Sequence, residues 1–237
     1  DGVTIQNLTI NASGERAINV IQNATNVTIE NVTATAANYT VNVASSAPNA
    51  VVAITNSDLT GLNVVNVAAA GSNVTINGGT ITCNDQNANE NYAALALNKD
   101  AVGAKIAATS DVTFDIKDDS KKASNGAVDG VITIGGKTEE VDVIVAYIQY
   151  GNYYNSYTSI EAAIAKAKDG ETIGLIRDIK ASAIITIDKA ITLDGNGKKL
   201  TSTAGRAINV SGADGVTIKN LTINASGERA TNIIQNA

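Results

Sequence analysis

Short apolar–polar–apolar triplets of the VTI kind recur along the chain. Their third residues fall at Ile5, Ile29, Ile54 and Ile76, and again at Leu193 and Ile218, so that one triplet follows another after about two dozen positions. A second alternating run follows most triplets after a polar residue or two: NLTI at 7–10, NVTA at 31–34, GGTI at 78–81 and NLTI at 220–223. A third run closes each period: AINVI at 17–21, YTVNV at 39–43, LNVVNV at 62–67 and AINV at 207–210. Alternation with period two predicts strands, with Val3 and Ile5 facing inward and Thr4 outward. The same holds for Val27, Thr28 and Ile29, for Val74, Thr75 and Ile76, and for Val216, Thr217 and Ile218. Three such strands per period are too short for an ordinary sandwich. They suit a coil of a parallel β-helix, in which each strand pairs with its equivalent one coil away, about 4.8 Å along the axis. Asn7, Asn31 and Asn220 stand at the bends, where Asn tolerates the left-handed conformation and stacked amides form ladders.

A longer repeat contains the short one. Residues 1–24 and 214–237 are identical at 21 of 24 positions, differing at Gln6/Lys219, Ile18/Thr231 and Val20/Ile233. Asp1 recurs as Asp214 and Ala24 as Ala237. Identity at one fixed offset predicts a tandem array with that offset as its period, and the chain reads as an internal window on a longer protein. Residues 1–136 are expected to hold the later coils and end of one module. Residues 137–237 are expected to hold a boundary strand, a cap helix at about 158–169 and the first coils of the next. Around 83–103 the period breaks, and 84–91 reads as a protruding loop. Weaker strand patterns resume over 104–136, and 115–126, DIKDDSKKASNG, reads as an exposed turn. EEVDVIVAYI at 139–148 is strand-like and leads into a cluster holding Tyr147, Tyr150, Tyr153, Tyr154 and Tyr157, expected to line the joint between modules. Next comes the one convincing amphipathic helix, with Ile160, Ala163, Ile164 and Ala167 on one face. Thr158 and Glu161 are read as its capping box and Gly170 as its stop. Ahead of the first coil, such a helix covers an otherwise open sheet edge and core.

Composition sharpens this picture. Only 3% of residues are aromatic while 44% are hydrophobic, so the core must be built from Val, Ile, Leu and Ala. A net charge of −6 argues against nucleic acid as a partner, which selects a basic stripe, and against an anionic membrane surface. No apolar run reaches the roughly 18 residues that a membrane-spanning helix needs. Cys83 is the one cysteine, which excludes an intrachain disulfide framework; in the alternating run TITC it reads as a small buried residue.

The stretch from Tyr157 to Ile223 contains SIEAAIAKAKDGETI, then ITIDKAITLDGNGKKL, then AINVSGADGVTIKNLTI. Over that whole stretch the order resembles the amino-terminal part of right-handed parallel β-helix proteins of the pectin lyase-like superfamily; residues 1–81 look like further coils. The resemblance implies an all-β fold, a right-handed parallel β-helix (solenoid) with a short amphipathic capping helix. Large tandem versions look like microbial surface adhesin-like proteins. Enzymes resembling this fold act mostly on polysaccharides, with clustered aspartates in hydrolases, or a basic residue beside carboxylate-held calcium in lyases.

The residues do not assemble such a centre. Outward strand positions are mostly Thr, Asn or Ala, among them Thr4, Thr9, Thr28, Thr33, Thr75, Thr217 and Thr222, and there is no His. Asp194 in DGNGK matches a structural turn of that superfamily. Glu15 and Arg16, repeated as Glu228 and Arg229, read as solvated pairs. Asp85 and Glu90, with Tyr92 near them, read first as a plain solvated loop and, as the alternative, as the place where calcium or a sugar would bind. Asp115, Asp118 and Asp119 alternate with Lys117, Lys121 and Lys122 as a charge-balanced turn. Thr columns suit ordered water or ice, but Thr is also a good exposed strand residue. Nine N-x-[ST] sequons, at Asn7, Asn11, Asn23, Asn26, Asn31, Asn38, Asn73, Asn220 and Asn224, overlap the expected ladders. The expectation is therefore a non-catalytic, extracellular, cell-surface structural or adhesive protein: a stalk or filament of tandem β-helical modules. It has no catalytic residue, cofactor or metal. Its partner is itself, stacked head to tail, with host or matrix glycans as a further partner. The alternative is a polysaccharide-binding or polysaccharide-degrading β-helix.

Overall fold

A computed structural model describes residues 2–84, 92–117, 121–139, 143–151, 153–227 and 229–233. The chain divides into two compact units, 1–143 and 144–237. Each is a parallel β-solenoid, and together they make about nine turns.

In the first unit the strands Val3–Asn11, Asn26–Thr35, Val51–Gly61 and Asn73–Cys83 stack in parallel, coil upon coil. Their register is the one the triplets dictate: Ile5 pairs with Ile29, Ile29 with Ile54, and Ile54 with Ile76. Val27, Ile29, Val52, Ile54, Val74 and Ile76 are buried, with the intervening Thr28, Ala53 and Thr75 less so. Each of these strands joins two of the expected runs in one. Asn7, Asn31 and Asn56, at φ 55, 51 and 46, turn the chain at a single left-handed residue, so the hydrogen-bonded ladder continues around the bend. Gly78 and Gly79, at φ 69 and 83, take that place in the fourth coil.

A second sheet closes the coils. It stacks Arg16–Val20, Tyr39–Val43, Val65–Val67, Ala93–Leu97 and Lys121–Asn125. Ala93–Leu97 is buried throughout, so its sequence is a continuous apolar run with no alternation to read. Lys121–Asn125 corrects the expected exposed turn at 115–126. It is a polar strand in register with Ala93–Leu97, and Ala123 is its buried residue. Thr113–Ile116 is also a strand, paired with Thr80–Cys83. Of the expected loop at 84–91, residues 85–91 lie outside the described residues. Val131–Ile134 is followed by the left-handed pair Gly135 and Gly136, φ 57 and 76, and by Lys137–Thr138 running antiparallel. Two successive positive-φ residues make the tight hairpin turn whose twist matches the strands.

The second unit keeps three separate faces. Thr172–Leu175, Thr192–Asp194 and Thr217–Lys219 form one. Ile179–Ala181, Lys199–Ser202 and Thr222–Ala225 form the next. Ile185–Ile187, Arg206–Val210 and Arg229–Ile233 form the third. Ahead of the first coil, Ala146–Tyr150 lies antiparallel on Thr172–Leu175 and makes a hairpin with Tyr153–Tyr157. The tyrosine cluster is therefore a hairpin, in which the Tyr147 and Tyr154 rings meet edge to face at 5.9 Å.

The helix spans Ile160–Lys166, shorter than the expected 158–169. Its N-cap is Ser159, whose hydroxyl accepts from the Ala162 N–H at 3.0 Å. That shift of one residue puts Glu161 a position too early to complete a capping box. Gly170 is not the stop either. Ala167 is already extended, at φ −62 and ψ 145. The terminal carbonyls of Ile164, Ala165 and Ala167 are taken instead by the Lys189 ammonium, at 2.9, 2.7 and 2.9 Å. A cation there satisfies orphan acceptors and opposes the helix dipole. Ile160, Ala163 and Ile164 bury into the cluster that holds Ile148, Ile173, Ile185 and Leu193, so helix and hairpin together close the start of this solenoid.

Candidate functional site

Among the described residues, side-chain amide bonds join successive coils at two places, the bend and the closing sheet. At the bend, the Asn31 Nδ2 donates to Asn7 Oδ1 at 3.2 Å. In the second unit, Asn220 Nδ2 donates to Asp194 Oδ1 at 3.1 Å. The second ladder runs through the closing sheet, where Asn42 donates to Asn19 and Asn66 to Asn42, both at 2.7 Å. Asn232 donates to Asn209 at 2.9 Å in the same sense. Every one of these bonds runs from the Nδ2 of the later coil to the Oδ1 of the earlier one. The ladders therefore have a polarity along the axis.

This second ladder was hidden in the sequence, because INV, VNV and VNV look like ordinary alternating strands. The signal was the same Asn at 19, 42 and 66, one coil apart each time. Asn42 and Asn66 are only 5% and 6% exposed. Buried amides cost free energy unless paired, and here each pairs with its own copy.

The individually suspected residues are dispersed. Arg16 meets Glu15 at 3.3 Å on the surface and lies over the Tyr39 ring at 5.5 Å. Burial pushes the Tyr39 hydroxyl up from its ordinary value, against the opposing pull of the Arg16 guanidinium. The second copy is placed differently: Arg229 stands on Arg206 in register and donates to Asn232 Oδ1 at 3.0 Å. Glu228 lies outside the described residues, as do Asp85, Glu90, Asp118 and Asp119. Tyr92 is half-buried, just before Ala93–Leu97. Asp115 pairs with Lys117 at 2.7 Å, and Lys122 lies over Phe114 at 5.8 Å.

Asp194 is a turn residue, as its motif suggests. It accepts from the Asn196 N–H at 2.9 Å, from Asn220, and from Lys219 at 3.3 Å. The Asn196 N–H first, then Asn220 and Lys219, hold its carboxyl below the usual carboxylate range. Cys83 is buried, with its thiol donating to the Leu62 carbonyl at 2.8 Å. Among the described residues no group of three His, Cys, Asp or Glu is placed to hold a metal ion. No described helix is long and apolar enough to cross a membrane.

What the structure does expose is the outer face of two coils. Val3 is 50% and Leu8 42% exposed, whereas their partners one coil in, Val27 and Val32, are 7% and 1% exposed. Ile233 is 73% exposed, against 6% for its partner Val210. Each lies in the first or the last described coil, which has one neighbouring coil in place of two. They belong to the two copies of the repeated sequence.

No family model matches the chain, and neither a curated protein nor a solved structure matches it.

Proposed function

We propose that the chain is a segment of an extracellular, cell-surface structural protein, a stalk or filament in which β-solenoid modules recur at the interval that separates Asp1 from Asp214, and in which reach is the property supplied. The observation that carries this reading is the stacking of like on like: Ile on Ile, Thr on Thr and Asn on Asn across successive coils. A coil built this way is interchangeable with its neighbours, and its length is set by the number of rungs. The resemblance to pectin lyase-like β-helices supports a carbohydrate-rich setting, and the tandem form supports an adhesin-like surface protein. Outward Thr and Asn give a hydrated surface on which host or matrix glycans are the partners that fit. The chain performs no catalysis in this reading.

Antibodies raised against the chain test it on intact cells of the source organism. Gold label is expected outside the envelope, at distances that grow with the number of copies of the long repeat. Label confined to cell interiors sinks the proposal. So does release of reducing ends when the purified chain is incubated with polysaccharides.

A further inference from the structure

The nine sequons differ in their surroundings. At Asn7, Asn31 and Asn220 the side-chain amide is engaged in the bend ladder. At Asn38 the Oδ1 is buried without a partner, so the amide is drawn into the fold. Asn11, Asn23 and Asn224 lie on the first or last described coil, with one neighbouring coil each. Asn26 and Asn73 are different: each lies between two coils and is exposed nonetheless. Asn26 pairs with Val51 on the coil after it, and its carbonyl accepts from the Gly2 N–H at 3.0 Å on the coil before. Asn73 stands between Val51 and Lys105. Their exposure is sideways, away from the axis, and further coils at either end leave it unchanged.

Both residues open a triplet strand. In Asn26-Val27-Thr28 and Asn73-Val74-Thr75 the period of two buries the valine and turns Asn and Thr to the same outer side. Among the described residues these four polar side chains make no hydrogen bond to the protein. A free, exposed amide with a hydroxyl two residues on is the acceptor of N-linked sugars in an exported protein. A second observation lies between the two sites. Val51 occupies their column one coil from each, about 4.8 Å away. It is 48% exposed on an interior coil. The apolar C–H face of a pyranose attached to either neighbour reaches it. We propose that Asn26 and Asn73 carry N-linked oligosaccharides whose first sugars roof Val51. The donor is a polyprenyl-phosphate-linked oligosaccharide of the exporting cell. The Asn Nδ2 bonds to the sugar C1, the C1–O bond to the lipid phosphate breaks, the phosphate leaves with that electron pair, and one Nδ2 proton is lost. The proposal rests on the extracellular reading above, and it gives the exposed edge of the coils a hydrated cover.

Peptide mapping of the protein isolated from its source organism tests this, with fragmentation that keeps sugars attached and assigns them to single residues. Sugar mass is expected on Asn26 and Asn73 and none on Asn38. Thr28→Val and Thr75→Val, produced in the same organism, keep the acceptor Asn and the β-branched strand residue but remove the hydroxyl. Thr28→Val should strip the sugar from Asn26 alone, and Thr75→Val from Asn73 alone. Bare Asn26 and Asn73 in the wild-type protein overturn the proposal, whether or not either variant folds. So does sugar that persists on Asn26 in Thr28→Val, or sugar found on Asn38. Immunogold label outside the envelope together with bare Asn26 and Asn73 removes this proposal and leaves the spacer reading standing. Label confined to cell interiors removes the spacer reading itself.

Discussion

Asn42 is the middle rung of the buried ladder, and replacing it separates the worth of the ladder from that of ordinary packing. Its amide donates to Asn19 and accepts from Asn66, both at 2.7 Å. In Asn42→Ala both bonds go, at about 0.5–1.5 kcal/mol each. The Asn66 amide, 6% exposed, then loses its acceptor, and an orphaned buried donor costs about 1–3 kcal/mol. Asn19 is exposed and turns to water. The expected loss is about 2–4 kcal/mol. With a urea m-value of about 2 kcal/mol/M, the midpoint of the first unit falls by about 1–2 M. Circular dichroism across a urea titration reads this. Adding Asn66→Ala removes the orphan, so the double variant should cost no more than Asn42→Ala alone. The column tolerates that ending, since the next residue in it is already Ala96. A simple sum of the two single losses in the double variant, or a single loss below about 0.5 kcal/mol, refutes the argument that the amides hold each other's desolvation in check.

Three further outcomes follow from single contacts. Gly79 has φ +83, and a Cβ there would collide with the Ser57 backbone; Gly103 has φ +68 and open space. Gly103→Ala should cost about 1–2 kcal/mol from backbone strain alone, and Gly79→Ala about 3 kcal/mol or more; equal losses in urea melts would deny the close approach. Lys189→Met removes the three bonds that end the helix Ile160–Lys166. It should destabilise the second unit by about 1.5–3 kcal/mol, with faster amide exchange at Ala163 and Ala167 as the readout. The Asp194 carboxyl is held below its reference value of 3.8. Its stabilising contribution is therefore fully present above that pH and is lost as the pH falls through the depressed folded value. Asp194→Asn keeps an acceptor for Asn196 and Asn220, and should flatten the acid limb of a stability-against-pH curve; an unchanged limb would assign the acid loss elsewhere.

The coil was legible because its signal is doubled. Alternation within VTI gives the strand, and recurrence once per coil gives the stacking partner, so Ile5, Ile29, Ile54 and Ile76 fall in one column before any coordinates are seen. The left-handed Asn7, Asn31 and Asn220 were legible for the same reason. Where either signal lapses, reading fails. Ala93–Leu97 has no alternation because both its faces are buried. Lys121–Asn125 has charges where a strand is usually apolar, and only its register with the coil before it makes it a strand. The hairpin Ala146–Tyr157 pairs antiparallel, so no period announces it. Thr158 and Ser159 are both good caps, and backbone geometry chose the second. A candidate site was illegible for a different reason. The outward positions carry the same Thr and Asn on coil after coil, so no residue type marks one place apart from another.

Uniform columns raise a difficulty that the structure also answers. If every rung were identical, coils could slip by one along the axis, since register is poorly specified when neighbours are equivalent. Not every column is uniform, and one tapers. Leu8, Val32, Ser57 and Gly79 occupy the same place on four successive coils, shrinking from a leucine to no side chain. Ser57 fills its place with hydrogen bonds, accepting from the Val32 N–H and donating to the Thr55 carbonyl at 3.1 and 2.9 Å. Gly79 sits so close to the Ser57 backbone that no larger residue fits there. A slip that put Val32 or Leu8 in the place of Gly79 would meet that backbone at sub-contact distance. Like-on-like columns thus supply cohesion without regard to order, and columns that change from coil to coil, the tapering one foremost, supply the order.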